Sequence, residues 1–167
     1  MKTTFLVPLL ALLIACNQMN KPMTEAQKEA VKSEATLVIK NVFDVLALGN
    51  GEKRMANCEN SSDFSFTLTD GIYSYDGLKS YVSQALQEAE KETFETRSEK
   101  YIMLDPACFT YIWQGKIVIY LKSGKTITFN DYYSTWTFRK SEGTWKMVNG
   151  HESSKEAASV DTAMVLK

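Results

Sequence analysis

His151 is the only histidine in the chain, and it lies near the end of the last strand-like segment, "TWKMVNGHESS". An imidazole changes charge near neutral pH, so this residue type suits a general acid or base. Such a group also needs a partner that orients it and a donor for developing negative charge. Asp131 and Tyr133, in the preceding segment "KTITFNDYYSTWTFRK", offer a carboxylate and a phenol. His151, Tyr133 and Asp131 are therefore the candidate catalytic residues.

Each of these residues also has an explanation that involves no chemistry. His151 suits a structural role or a ligand contact, and Asp131 suits a β-bulge as well as a charged group in a pocket. Spacing leaves the orienting group open, because Tyr132 in the same segment, and Asp70 and Asp76 near the middle helix, are further candidates. Whether the protein is an enzyme is thus left open, and binding without catalysis is the preferred interpretation.

The N-terminal segment "MKTTFLVPLLALLIAC" has one lysine followed by an apolar run over residues 5–15. This run is shorter than the about 20 residues that span a bilayer as a helix, which is typical of a secretory signal peptide. Its end, "LIAC", resembles the lipobox of bacterial lipoprotein signal peptidase. The resemblance implies cleavage before Cys16 and attachment of lipid, such as palmitate, to its thiol. An ordinary signal peptide followed by cysteine by chance is the alternative.

A lipid on Cys16 predicts a location in the cell envelope, anchored to a membrane. Asn17 differs from the Asp that retains some enteric lipoproteins, so by analogy we expect the outer membrane, facing the periplasm or the surface. Loss of residues 1–15 takes Lys2 from the 19 basic side chains and leaves 18 against 20 acidic ones. With this balance and no basic patch, nucleic acid is not an expected partner.

The cysteines and the single histidine do not form a metal-binding pattern. No pair of cysteines has metal-ligand spacing, so no metal is expected, and no cofactor either. Cys58 and Cys108 remain when Cys16 carries lipid, and disulfides persist outside the cytoplasm. The sequence does not supply the Cα separation that a bridge requires, so their pairing is left open.

The first structural element predicted after the signal segment is an amphipathic helix. Thr24 and Gln27 form a capping-box start, and residues 49–51, "GNG", favour its end. A second short helix is predicted over residues 52–59. The predicted buried face recurs at helical spacing and consists of Val31, Ala35, Val38, Val42, Val45 and Leu46.

Residues 63–71 alternate between apolar and polar side chains and predict a strand. A helix follows, with Asp76 as its N-cap and a buried stripe at Leu78, Tyr81, Val82, Ala85, Leu86 and Ala89. After Lys91 the period is two, in four segments joined by turn residues, which predicts antiparallel hairpins. The fold class is therefore α+β, with helices packed on one face of a curved antiparallel sheet.

The closing segment "TWTFRKSEGTWKMVNGHESS" resembles the last hairpin of the SnoaL-like and ketosteroid-isomerase-like group, whose fold is also called nuclear-transport-factor-2-like. The likeness in element order covers residues 24–155. It implies a cone-shaped fold, with a strongly bent sheet around a helix layer and an apolar pocket open at one end. Members range from isomerases and dehydratases to proteins without chemistry, and many dimerise through the outer sheet face.

Alternation along the strands gives the candidate ligand-binding residues. Counting by two from Trp145 places Met147, Asn149, His151 and Ser153 on one face, which should run outward to the pocket mouth. In the strand around residue 111, Phe109, Tyr111 and Trp113 share one face, and the opposite face offers Ile112, Val118 and Tyr120. The predicted ligand-binding set is Tyr111, Trp113, Trp145, Asn149 and His151.

These observations predict a signal peptide over residues 1–15, a tether over 16–23, a SnoaL-like domain over 24–155 and a tail over 156–167. The predicted function is a membrane-tethered domain outside the cytoplasm that binds a small apolar or amphipathic molecule or mediates association. One alternative is an isomerase, dehydratase or hydrolase that uses His151 as acid or base. The other is a structural accessory lipoprotein that acts as a dimer.

Overall fold

The computed structural model describes residues 22–155 and the backbone of residues 159–162. Cys16, the signal segment and most of the tether lie outside the described residues. The helices are α1 (Glu25–Ala47), α2 (Gly51–Ala56) and α3 (Tyr75–Glu88). The strands are β1 (Ser65–Leu68), β2 (Gly71–Tyr73), β3 (Ala89–Asp105), β4 (Cys108–Leu121), β5 (Lys125–Ser141), β6 (Thr144–Ser154) and β7 (Ser159–Thr162).

The strands form one curved sheet in the order β2-β1-β6-β5-β4-β3. The long strands β3 to β6 are successive antiparallel neighbours, and β1 joins β6 in parallel. The expected α+β class with helices on an antiparallel sheet is confirmed. Strand β7, in the segment predicted as a tail, pairs with residues 125–128 of β5, where β6 no longer covers that strand. No helix within the described chain is long and apolar enough to cross a bilayer.

Helix α1 begins as its sequence predicts. The Thr24 hydroxyl accepts from the Gln27 backbone N–H, and the Gln27 side chain accepts from the Thr24 backbone N–H. Gly49, two residues after the end of α1, has φ +61°, a left-handed conformation that glycine adopts without strain. The fully buried face of α1 is Val31, Ala35, Ile39 and Val42, so it includes Ile39, which the predicted face omitted.

The start of α3 differs from the prediction. Its N-cap is Ser74, whose hydroxyl accepts from the Gly77 backbone N–H at 3.3 Å, and Asp76 lies inside the first turn. An acidic side chain there still interacts favourably with the positive end of the helix dipole. The helix passes directly into β3 at Ala89, so the α3 stripe and the first residues of β3 face the same space.

An aromatic core joins α1 to the inner face of the sheet. Phe109, Tyr111 and Trp113 of β4 are almost fully buried on that face, as their alternation predicts. Phe43 of α1 packs on this layer, and its ring centroid lies 5.6 Å from that of Trp113 and 5.7 Å from that of Trp136. Full burial of such side chains stabilises a fold by about 1.5–3 kcal/mol each. These contacts hold the helix layer against the strands.

A β-bulge at Val148 shifts the register of β6. Thr137 pairs with Asn149 and Phe138 with Met147, so Val148 is an extra residue on the β6 side. Met147 is buried before the bulge, and after it the buried position is Gly150. Gly150 lies under the Phe66 ring, where a Cβ atom would collide with the ring carbons.

The predicted face that joins Met147 to His151 is therefore wrong. Beyond the bulge Asn149 and His151 are exposed, because the extra residue moves them to the opposite side of the strand. Glu152, one residue further along, takes the inward position and lines the space between sheet and helices.

Cys58 and Cys108 are both free in the structure. The backbone of Cys58 forms an isolated β-bridge with Met147 of β6. Met147 pairs with Phe138 of β5, and Phe138 pairs with Phe109 of β4, which is next to Cys108 in the chain. Three strand spacings place the two cysteines roughly 14 Å apart. This exceeds the Cα separation that a disulfide spans, so the structure does not pair them.

Candidate functional site

The helices and the inner face of the sheet enclose a cavity with a volume of about 320 Å³. This lies at the lower end of the roughly 300–1,000 Å³ typical of small-molecule sites. Its walls are mostly apolar and include six Phe and Trp side chains: Phe43, Phe66, Phe94, Trp113, Phe129 and Trp136.

Helix α3 supplies one side of this cavity with the residues predicted as its buried stripe. All six of them, from Leu78 to Ala89, contribute to the cavity wall. Leu78 is buried, whereas Tyr81 and Ala85 keep exposed surface. The amphipathic pattern of α3 therefore forms one wall of the cavity, with Leu78 also part of the buried core.

Glu152 carries the most unusual environment in the cavity. One carboxylate oxygen accepts a hydrogen bond from the Tyr132 hydroxyl at 2.6 Å, and the other accepts from the Trp136 indole N–H at 3.0 Å. Burial among apolar side chains raises the pKa of Glu152, because the charged form loses its hydration. The two hydrogen bonds and Arg54 oppose this effect, and Glu92 adds to it, with burial the largest contribution.

Tyr132 acts as a fixed donor toward Glu152. Burial raises the pKa of its phenol far above the ordinary value of 10.0, and the nearby Glu152 charge raises it further. The phenol therefore keeps its proton throughout the physiological range and points it at the carboxylate. Glu152 and Tyr132 thus form a hydrogen-bonded pair in which burial makes the carboxyl group hold its proton to a higher pH than an exposed glutamic acid does.

An ion pair forms a second polar feature of the wall. A guanidinium nitrogen of Arg54 lies 2.8 Å from a Glu92 carboxylate oxygen, with 15% and 10% of the two side chains exposed. Arg54 also donates to the Leu46 carbonyl at 2.7 Å, which ties α2 to the end of α1. Its Nε is covered by protein and has no hydrogen-bond partner among the described residues. The charge of Arg54 is thus largely balanced by Glu92.

The three predicted catalytic residues lie outside the cavity wall. His151 is exposed on the outer side of β6, between Thr67 of β1 and Thr135 of β5. Tyr133 is 39% exposed on the outer face, and its hydroxyl accepts from the Gln114 amide at 3.4 Å.

Asp131 lies in a β-bulge, which the sequence analysis gave as the alternative to a charged group in a pocket. Gly115 pairs with Tyr132 and Ile117 with Phe129, so Asn130 and Asp131 oppose the single residue between them on β4. The Asp131 carboxylate accepts from Arg97 of β3 at 2.9 Å. An outer-face ion pair therefore accounts for this acidic group.

One of the five predicted ligand-binding residues reaches the cavity wall. Trp113 lines it and donates its indole N–H to Thr96 at 2.8 Å. Tyr111 belongs to the core and donates its hydroxyl to Glu99 at 2.6 Å, and Trp145 donates to Glu34 of α1 at 2.7 Å. Asn149 donates its side-chain amide to Ser65 of β1 at 2.7 Å. These bonds give Tyr111, Trp145 and Asn149 structural roles.

Sequence reasoning missed Glu152, Arg54 and Glu92, and it considered Tyr132 only as a possible orienting group for His151. Glu152 and Tyr132 each stand one residue from a predicted site residue, His151 and Tyr133. The sequence does contain a signal for each one-residue shift, Gly150 in β6 and Asn130-Asp131 in β5, because such residues inside a strand are common at β-bulges. No comparable signal marks the Arg54–Glu92 pair, whose members come from separate elements.

Within the described ranges no three His, Cys, Asp or Glu side chains group together in a way that could hold a metal ion. The polar groups of the cavity are instead suited to hydrogen bonding and to proton transfer through Glu152.

Comparison with known proteins identifies the fold and leaves the activity open. No protein-family model and no curated protein matches the chain. A putative scytalone dehydratase from Novosphingobium aromaticivorans has a similar structure, with a TM-score of 0.69 and 8% identity over 86% of this chain and 99% of that one.

Two further structures are similar. A nuclear transport factor 2-like superfamily protein from Salmonella enterica has a TM-score of 0.66 and 14% identity over 84% of this chain and 99% of that one. A hexachlorocyclohexane dehydrochlorinase has a TM-score of 0.66 and 10% identity over 83% of this chain and 94% of that one. The chain therefore has the nuclear-transport-factor-2-like cone fold that its sequence resembles.

The environment of Glu152 predicts a pH-dependent stability that one substitution removes. Because the folded-state pKa lies above the ordinary value of 4.5, ionisation of Glu152 destabilises the folded protein as pH rises from 4.5 through the raised pKa. Glu152→Gln should remove this loss, which amounts to as much as about 1.4 kcal/mol per pH unit. Urea unfolding of the unchanged protein and of Glu152→Gln, at pH values between 4.5 and 9, measures this loss in the free energy of unfolding.

Glu95→Gln is the matched control, because Glu95 is exposed on β3. Its stability curve should run parallel to that of the unchanged protein. Parallel curves for Glu152→Gln and the unchanged protein would contradict the assignment of a raised pKa to Glu152.

Proposed function

We propose that this protein is a lipid-anchored domain outside the cytoplasm that binds a small, mainly apolar molecule in the cavity. The observation that carries the proposal is an aromatic-walled cavity of about 320 Å³ with a carboxyl group buried in its wall. Pockets of this composition bind through apolar contact and use a few polar groups for orientation. The similar folds of a putative dehydratase and a dehydrochlorinase support the use of such a cavity for small molecules.

The aromatic residues would supply most of the binding free energy. Transfer of apolar ligand surface from water contributes about 25 cal/mol per Å². Phe43, Trp113 and Trp136 already pack against one another, so their rings are held in place before a ligand enters. Walls that need no rearrangement reduce the entropic cost of binding. Glu152 would orient the polar end of the ligand.

The anchor is proposed from the sequence, because Cys16 lies outside the described residues. Its lipid would hold the domain at a membrane through the tether of residues 16–23, just before α1 begins at Glu25. A form that lacks residues 1–16 keeps every described residue, from α1 through β7. An outer-membrane location and a homodimer formed through the outer sheet face remain predictions.

An acid–base enzyme of the isomerase or dehydratase type is a second candidate function. It is favoured by the buried Glu152 carboxyl, which has a raised pKa and a Tyr132 hydroxyl 2.6 Å away. General bases are commonly tuned toward neutral pH in this way. His151, the acid or base suggested by the sequence, is exposed outside the cavity wall, so the proposal for catalysis moves to Glu152.

Binding is tested with the uncharged fluorophore N-phenyl-1-naphthylamine and the form that lacks residues 1–16. We expect saturable fluorescence enhancement. Ala85→Trp should weaken binding by at least about tenfold, because the new ring would occupy cavity volume. Ala30→Trp, at an exposed position of α1, is the matched control and should bind normally. No saturable binding, or equal binding by Ala85→Trp, would contradict the proposal.

Lipidation is tested by labelling a bacterial host that expresses the full chain with radioactive palmitate. We expect labelled protein in the membrane fraction, and Cys16→Ser should lose both the label and the membrane association. Cys108→Ser should keep them, since Cys108 lies in β4 of the folded domain. Label retained by Cys16→Ser would rule out this anchor.

Catalysis is tested by exchange of the α-protons of 4-phenylbutan-2-one in D₂O, followed by NMR. If Glu152 is a general base, Glu152→Gln should slow protein-dependent exchange by about 10²–10⁴-fold, and the rate should rise with pH through the Glu152 pKa. His151→Gln discriminates between the two candidate bases. If exchange is lost in His151→Gln but not in Glu152→Gln, His151 is the base, as the sequence suggested. If the unchanged protein catalyses no exchange, it does not abstract a proton from this ketone.

A further inference from the structure

We infer that the cavity takes a cationic ligand, an apolar molecule with a protonated amine, whose ammonium group lies against the Glu152 carboxylate and the surrounding aromatic rings. The inference rests on the proposed function, because it names the chemical class of the molecule that the cavity binds.

Among the described charged residues of the cavity wall, Glu152 is the one without an ion-pair partner. Three charged residues line the cavity: Arg54, Glu92 and Glu152. Arg54 and Glu92 balance each other at 2.8 Å. No Lys, Arg or His nitrogen of the described residues lies within 4.0 Å of the Glu152 carboxylate. When Glu152 is ionised, the cavity therefore carries a net charge of −1, and a cation is the ligand that compensates it.

The hydrogen bonds around Glu152 also favour a donor over an acceptor. Tyr132 and Trp136 each donate to one carboxylate oxygen, so these donors are already occupied. A carboxylate has about four lone-pair sites, which leaves roughly two for a ligand. An ammonium supplies three donors, whereas a carbonyl would need a free donor in the wall. The unpartnered Nε of Arg54 does not serve, because its surface is covered by protein.

Aromatic residues line the part of the cavity wall that holds Glu152. Tyr132 and Trp136, which hold Glu152, both line the cavity. The Tyr132 ring centroid is 5.8 Å from that of Phe129 and 6.4 Å from that of Trp113. A cation over aromatic faces gains about 0.5–2 kcal/mol, more when water is excluded. The same rings would contact the hydrocarbon part of the ligand.

The pH dependence of binding follows from the groups that surround Glu152. These are Tyr132 on β5, Glu92 on β3, Arg54 on α2, Tyr81 on α3 and Cys58 after α2. Burial raises the pKa of Tyr132, of Tyr81 and of Cys58, and that of Cys58 reaches about 12. These three groups therefore stay neutral near pH 7.

Without ligand, burial keeps a proton on Glu152 above the ordinary pKa of 4.5. A bound ammonium stabilises the ionised form, so binding should release this proton. Affinity for the amine should then rise as pH increases through the Glu152 pKa.

The experiment compares three probes of similar size: 4-phenylbutylamine, 4-phenylbutan-1-ol and 4-phenylbutyrate. Calorimetry at pH 8 uses the form without residues 1–16, which retains all described contacts. We expect the amine to bind at least about tenfold more tightly than the alcohol, and the carboxylate to bind most weakly. Glu152→Gln should reduce amine affinity to about that of the alcohol. Glu95→Gln should change neither.

A second measurement applies if Glu152→Gln does not fold. Titration of the unchanged protein with the amine, in two buffers of different ionisation enthalpy and at a series of pH values from 4.5 to 8, should show release of up to one proton at one or more of these pH values, whereas the alcohol should release none. Equal affinity for amine and alcohol, tighter binding of the carboxylate, or no proton release would overturn the inference. If N-phenyl-1-naphthylamine still binds, the proposed function stands. If neither this fluorophore nor the three probes bind, both fail.

Discussion

The contact between Phe43 of α1 and the aromatic layer of the sheet is the interaction on which the cavity depends. Its ring centroid lies within 5.7 Å of those of Phe94, Trp113 and Trp136, which come from three different strands. This contact fills one end of the space between helix and sheet. At the other end the α3 side chains leave part of the space unfilled, although Tyr81 packs on Tyr73 of β2, and this unfilled volume is the cavity. The same aromatic layer therefore provides stability and one wall of the cavity.

Two β-bulges then decide which polar groups enter this apolar space. The bulge at Val148 directs Glu152 inward, and the bulge at residues 130–131 directs Tyr132 to the same face of the neighbouring strand, diagonal to Glu152. The two side chains meet at 2.6 Å only because both strands carry an extra residue. Gly150 lets the Phe66 ring lie directly on β6, which covers the strand beside Glu152. Strand irregularity, rather than a special residue type, thus creates the candidate site.

A carboxyl group in such a place destabilises the folded protein when it ionises. Its two hydrogen bonds from Tyr132 and Trp136 offset part of the lost hydration, and burial still raises its pKa. An apolar residue of similar size would avoid this cost. A destabilising group at the wall of an otherwise apolar cavity is a common feature of functional sites, where the missing partner is a ligand or a reacting proton.

Local patterns in the sequence determined the element types and the fold class. The capping box at Thr24, the α3 stripe and the alternation through Phe109, Tyr111 and Trp113 depend on neighbours within a few residues, and the structure confirms each of them. Ser74 as the cap of α3 was missed because Ser74 and Asp76, two residues apart, both offer a side-chain oxygen that can cap a helix.

Only the tertiary structure decided which residues form the site. A single inserted residue reverses the facing of every later side chain in a strand, so His151 and Tyr133 lie outside while Glu152 and Tyr132 lie inside. The Arg54–Glu92 pair joins α2 to β3, and no local pattern encodes such a contact. Periodicity is a local property that the sequence determines, whereas register and contacts between distant elements depend on how the whole core packs.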